Sequence, residues 1–110
     1  MEQVIGIASV CRSVGGVAEQ ELSVWIAREW VRPGGAPEQP EFSPRDLARV
    51  RLIAELTHDL RIDEQALPVV LSLLDQLHAE RARLRSLRDA LRETAPPDLL
   101  ALIEQSLHRA

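Results

Sequence analysis

The sequence predicts a mainly α-helical fold, on three observations. Aromatic residues are reduced to Trp25, Trp30 and Phe42. The core therefore falls to Leu, Val, Ile and Ala, and the β-branched, aromatic-rich runs of a sheet protein are missing. Apolar residues recur at spacings of three and four over long stretches, the signature of a helical face. Prolines and glycines gather at a few boundaries, which cut the chain into helical lengths. With 110 residues there is room for one core, so residues 1–110 are expected to form a single domain.

The elements run in order. IASVCRSV, residues 7–14, makes a short first helix, and Gly15-Gly16 ends it. From Val17 to Trp30 the apolar residues Leu22, Trp25, Ile26 and Trp30 share one helical face. Two short helices about a glycine turn form a helix-turn-helix pattern. PGGAPEQP, residues 33–40, reads as a loop. Val31-Arg32 before it and Glu41-Phe42 after it are expected to pair as a two-stranded wing, so residues 1–42 are read as helix-turn-helix plus wing.

Ser43-Pro44-Arg45-Asp46 is a helix start: Ser43 suits the N-cap, Pro44 the first helical position, and Asp46 the positive end of the dipole. Leu47, Val50, Ile53, Ala54 and Leu60 continue one face of this third helix, residues 43–62. Asp63 caps the next helix, residues 63–92. The early part of that helix, PVVLSLLDQL, is apolar over a wide arc, and Pro68 falls near its start. Further on the stripe narrows to a 3-4 spacing through Leu77, Arg81, Leu84, Arg88 and Leu91, and the two Arg at the seam spoil a long coiled coil. Pro96-Pro97 opens a C-terminal helix, residues 96–108, whose face is Leu99, Leu100, Ile103 and Leu107.

No pattern carries chemistry. His58, His78 and His108 are scattered singly, without a metal-ligand spacing, so neither a metal nor a cofactor is expected. Cys11 sits in an apolar setting and reads as a structural thiol. There is no phosphate loop, nucleophile elbow or dinucleotide fingerprint, and no enzymatic activity is expected. From Glu80 to Glu93 five Arg face three acids, which reads as a solvated helix laced with pairs such as Arg85 with Asp89.

Net charge is −4, and every basic residue other than His is Arg, a bias that fits a GC-rich bacterial genome. The lone cysteine suits a reducing compartment. No apolar run reaches the ~20 residues of a membrane span, and the N-terminus lacks the basic region of a signal peptide. The expected location is the bacterial cytoplasm.

The order of elements, with FSPRDLARV after the wing, resembles the MerR-type winged helix-turn-helix. The stretch FSPRDLARVRLIAELTHDLRIDEQALPVVLSLLDQL, Phe42 to Leu77, more closely resembles the CbpM family of chaperone modulators. The carrying features are Asp59-Leu60, Ile62-Asp63 and the LLDQL run ending at Leu77. The chain departs from these families at Glu29, where Gly is usual before the wing, and at Ala66-Leu67-Pro68. Ser23-Val24-Trp25 replaces the Arg-Tyr-Tyr-like run of DNA-reading relatives.

Membership in the CbpM family would imply binding to the J-domain of a DnaJ-like co-chaperone of the CbpA type and inhibition of its action. The alternatives are a MerR-like DNA-binding transcription regulator and a helical adaptor. Charge separates them: residues 1–42 hold three Arg and six Glu, whereas a duplex binder typically makes roughly 6–10 cationic phosphate contacts. Tight DNA binding is therefore not expected. Asp59, Asp63 and Glu64, between the two long helices, are the first candidates for partner contact, with Trp25 and Trp30 next. Leu77, Leu84, Leu87 and Leu91 are expected to form a homodimer interface, the alternative being a monomer in which residues 96–108 fold back over them.

Overall fold

A computed structural model describes residues 3–109, apart from the side chains of Leu107 and Arg109. The fold is mainly helical, a winged helix-turn-helix followed by a long helix and a short C-terminal helix. The elements are α1 (Ile7–Val14), α2 (Glu19–Ala27), β1 (Gly34–Ala36), β2 (Gln39–Glu41), α3 (Pro44–Ala54), a π-helical turn (Glu55–Asp59), α4 (Leu67–Thr94) and α5 (Pro97–Arg109). Contacts divide the chain into two compact units, one up to Leu71 and one from Ser72.

In the first unit, Gly15 and Gly16 both take left-handed backbone, φ +75° and +71°, and turn the chain from α1 to α2. Helix α2 stops at Ala27, three residues before the expected end at Trp30. Glu29 enters the left-handed region at φ +62°, and the Trp30 amide donates back to the Trp25 carbonyl at 3.0 Å. Trp30 thus reaches the core from a turn and not from a helical face.

The wing lies mostly within the predicted loop, its strands one residue longer than expected and its turn only two residues. Gly34–Ala36 pairs antiparallel with Gln39–Glu41 about Pro37-Glu38. Pro37 presets the φ of a tight turn, and Pro40 is tolerated because both strands of a ribbon are edges. A Cβ on Gly35 would lie 2.7 Å from the Gln39 carbonyl oxygen, so only glycine fits there. Val31-Arg32 does not pair with Glu41-Phe42. Phe42 instead exchanges both backbone hydrogen bonds with Ile5, at 2.8 and 3.0 Å, fastening the N-terminal segment to the base of the wing.

The start of α3 is as read from the sequence. The Ser43 hydroxyl accepts from the Asp46 amide at 3.2 Å and the Asp46 carboxylate accepts from the Ser43 amide at 2.9 Å, a complete capping box. The regular helix ends at Ala54, and the π turn carries the chain to Asp59, short of the expected end at 62. The wider π turn rotates the residues after it off the apolar face. Leu60, expected to continue that face, is 66% exposed. Arg61, at φ +54°, reverses the chain, and Asp63 caps as expected, its Oδ1 accepting from the Ala66 amide at 2.7 Å. Helix α4 is regular only from Leu67, with Pro68 harmless in its first turn, and it runs two residues past the expected end at 92.

Val10, Leu22, Phe42, Val50, Ile53 and Leu67 are fully enclosed, with Trp25, Trp30, Val17, Val31, Leu56 and Leu71 around them. Among the described residues no polar side chain is buried with them.

In the second unit, α5 starts one residue later than expected, at Pro97, and is bonded to α4 through Arg92 and Glu104. Leu100 and Ile103 are half-buried, Leu99 is exposed, and the Leu107 side chain lies outside the described residues. Among the described residues from Ser72 onward none is fully buried. The expected Arg85–Asp89 pair does not form; Asp89 lies nearest Arg88, at 3.7 Å.

Candidate functional site

The π turn and the bend after it present the candidate site. The turn carries Glu55, His58 and Asp59. The Leu60 amide bonds back to the Glu55 carbonyl at 2.9 Å and the Ile62 amide to the Leu56 carbonyl at 2.9 Å, so the bend is held from inside. Asp59 and Leu60 are left facing solvent side by side. Sequence spacing puts Leu60 on the core face and does not single it out as a site residue. Its one signal in the sequence is an apolar residue placed directly after Asp59 where a helix must end.

Of the acidic residues singled out from the sequence, Asp63 is engaged as the cap at the start of α4. Glu64 pairs with Arg28 from the end of α2 at 3.1 Å, both side chains being well exposed. Such a pair contributes about 0–1 kcal/mol, so Arg28 holds Glu64 only weakly. Asp59 has no ion pair or hydrogen bond among the described residues.

The structure brings the two tryptophans beneath this surface instead of onto it. Trp25 is 3% exposed and Trp30 9% exposed. Trp25 lies under His58, ring centroids 6.3 Å apart, and His58 Nε2 is 2.9 Å from a Glu21 carboxylate oxygen. Trp30 lies under Arg28, whose guanidinium carbon is 5.2 Å from the ring centroid. Both indoles therefore support the groups that carry the acids. A polar cleft of about 350 Å³ borders the turn, walled by Arg51, Glu55, His58 and Asp59, with Val14, Gly15 and Ala54.

Helix α2, the second helix of the helix-turn-helix, exposes Glu19, Gln20, Ser23, Val24 and Ala27. Arg28 at its end lies against Glu64 and the Trp30 ring. Burial, with Glu19 and Glu21 adding to it, pushes the Cys11 thiol above its ordinary pKa and keeps it protonated. Among the described residues no group of three or more His, Cys, Asp or Glu is arranged to hold a metal, and no helix is long and apolar enough to cross a membrane.

The leucines of the expected dimer interface lie in the second unit. Leu77 and Leu84 line a groove between α4 and α5. Leu87 is 57% exposed, and Leu91 is half-buried. Helix α5 folds back onto α4, as in the monomeric alternative, yet leaves three of the four leucines open.

A family model described as MerR HTH family regulatory protein matches residues 5–89 of the chain. No curated protein and no solved structure matches it.

Proposed function

The chain belongs to the MerR HTH family of regulatory proteins, and from that premise we propose that it is a chaperone modulator of the CbpM type, binding the J-domain of a DnaJ-like co-chaperone and inhibiting its action. It acts by binding, without a catalytic step. The observation that carries this reading is the Asp59–Leu60 surface. An apolar side chain 66% exposed stands beside an unpaired carboxylate, with Asp63 and Glu64 close by in the chain. An exposed charge alone gives little affinity, whereas a desolvated apolar anchor rimmed by charge gives both affinity and rate. J-domains engage their chaperone through a basic helix, and an acidic surface with an apolar centre is the complement of such a helix.

Titration of the isolated J-domain from the same organism tests the proposal, together with J-domain-stimulated ATP hydrolysis by the DnaK-type chaperone. Saturable binding and reduced stimulation are expected. Absence of J-domain binding removes the proposal.

A second reading, a DNA-binding transcription regulator, is favoured by the description of the family and by the winged helix-turn-helix itself. Against it stand the six Glu and three Arg of residues 1–42, and an α2 whose exposed face contains Glu19 but no Arg before position 28. Fluorescence anisotropy with promoter duplexes separates the two: sub-micromolar, sequence-dependent binding at physiological salt favours the regulator.

Self-association through Leu77, Leu84, Leu87 and Leu91 belongs to the same proposal. Sedimentation at tens of micromolar distinguishes a homodimer from a monomer.

A further inference from the structure

We propose that the groove between α4 and α5 binds a small anionic amphiphile, an alkyl carboxylate being the simplest member of the class. The groove has a volume of about 470 Å³, within the usual range of small-molecule sites. Its apolar lining comes from Leu77 and Leu84, 44% and 46% exposed. Its cationic wall comes from Arg81, Arg85 and Arg88, which helical spacing sets along one side of α4; the two carboxylates of the lining, Glu80 and Glu104, are paired with Arg83 and Arg92.

These three guanidinium groups are poorly matched inside the chain. Arg81 and Arg85 have no acceptor among the described residues. Arg88 Nε is closed off from solvent without a hydrogen-bond partner, and its nearest carboxylate oxygen, on Asp89, is 3.7 Å away. A buried N–H donor without an acceptor is rare in folded proteins, so the Arg88 guanidinium is incompletely matched inside the chain. Arg92 differs, since it is already bonded to Glu104, and that pair ties α5 to α4 along the groove. The site thus offers an alkyl-binding lining and an anion-binding wall.

Charge and shape select the occupant. A carboxylate complements the guanidinium wall, an alkyl chain complements the leucine lining, and a single alkyl carboxylate is small enough for the space present. The inference does not depend on J-domain binding, because every group it uses lies beyond Ser72, but it excludes self-association through Leu77 and Leu84, which would cover the groove.

The test is calorimetric titration of the full chain with decanoate, decanol and decyltrimethylammonium, each below its micellar concentration. Decanoate is expected to bind saturably, one per chain, at least tenfold more tightly than decanol or the cation. The double variant Arg85→Gln/Arg88→Gln should weaken decanoate at least tenfold. Arg45→Gln on α3, which alters an exposed side chain that does not line the groove, should leave it unchanged. If the double variant loses helical circular dichroism, Arg81→Gln alone replaces it. Equal affinity for decanol, undiminished binding by the groove variants, or no saturable uptake because a second copy covers Leu77 and Leu84 would each overturn the proposal.

Discussion

Arg49 of α3 donates from Nε to the backbone carbonyl of Trp30 at 2.9 Å. The bond crosses 19 residues of sequence and holds the turn after α2 against the helix that succeeds the wing. A part-buried carbonyl with a charged donor stabilises by about 1.5–3 kcal/mol. Arg49→Ala should therefore lower the unfolding free energy by roughly 1–3 kcal/mol, through the lost donor and the lost packing of the Arg stem. Urea unfolding monitored by tryptophan fluorescence measures this directly. A change below about 0.5 kcal/mol would mean that water replaces the guanidinium at no cost.

Glu29 presents the opposite case, a residue at odds with its backbone. At φ +62° a Cβ crowds the adjacent carbonyl by about 1–2 kcal/mol, whereas glycine gives up about 0.5–1 kcal/mol through its freer unfolded chain. The Glu29–Arg32 pair, at 3.9 Å between two exposed side chains, offers almost nothing in return. Glu29→Gly should stabilise the chain by up to about 1 kcal/mol, visible as a rise of a few degrees in melting temperature. Destabilisation would show that the left-handed turn is held by the Glu29 side chain.

These two positions also show how far the sequence can be read. The capping box at Ser43 is legible because every bond in it is local, made within three residues. Helix existence is legible from apolar spacing. The Arg49–Trp30 bond and the Ile5–Phe42 pairing are not legible, since both join segments far apart in the chain. The wing is misplaced by sequence reasoning for a related reason: PGGAPEQP carries loop chemistry, yet a two-residue turn at Pro37-Glu38 leaves enough backbone on each side to pair. The π turn is invisible because Glu55–Asp59 has ordinary helical composition. With it the fate of Leu60 is hidden, so spacing and charge find the acids of the candidate site and pass over their apolar neighbour. Trp25 and Trp30 read as surface anchors in the sequence because an indole serves either purpose; only three-dimensional packing assigns them to the interior.

Glu104 yields a prediction in pH. Its hydrogen bond to Arg92, with the charge of that guanidinium, lowers its pKa below the ordinary carboxylate value of 4.5. A depressed folded pKa means that the contribution is fully present above the unfolded value and is lost as pH falls through the folded one. The docking of α5 should hence weaken only below about pH 4.5. Amide exchange in α5, expressed as protection against the intrinsic rate, should fall there in the parent chain. Glu104→Gln should show the reduced protection already at pH 7 and change little on acidification. A parent and variant with the same acid profile would mean that Arg92 and Glu104 do not hold α5 in place.

Leu60 and Asp59 separate anchoring from steering at the proposed co-chaperone surface. Leu60 is 66% exposed and its side chain is outside the core, so Leu60→Ala should leave folding stability within about 0.5 kcal/mol. If the J-domain seats on this side chain, the truncation removes an apolar anchor worth about 1–2 kcal/mol, a loss of roughly five- to thirtyfold in affinity expressed mainly as faster dissociation. Asp59→Arg acts differently. Asp59 has no partner among the described residues to lose, and the reversed charge repels a basic helix at long range, so association should slow and become less salt-sensitive while dissociation changes less. Surface plasmon resonance at two salt concentrations resolves the two rates. Glu64→Arg should resemble Asp59→Arg but also sets Arg28 free from its pair, so Asp59 is the cleaner probe. Unchanged rates in both Leu60→Ala and Asp59→Arg, with J-domain binding intact in the parent, would place the contact elsewhere on the chain.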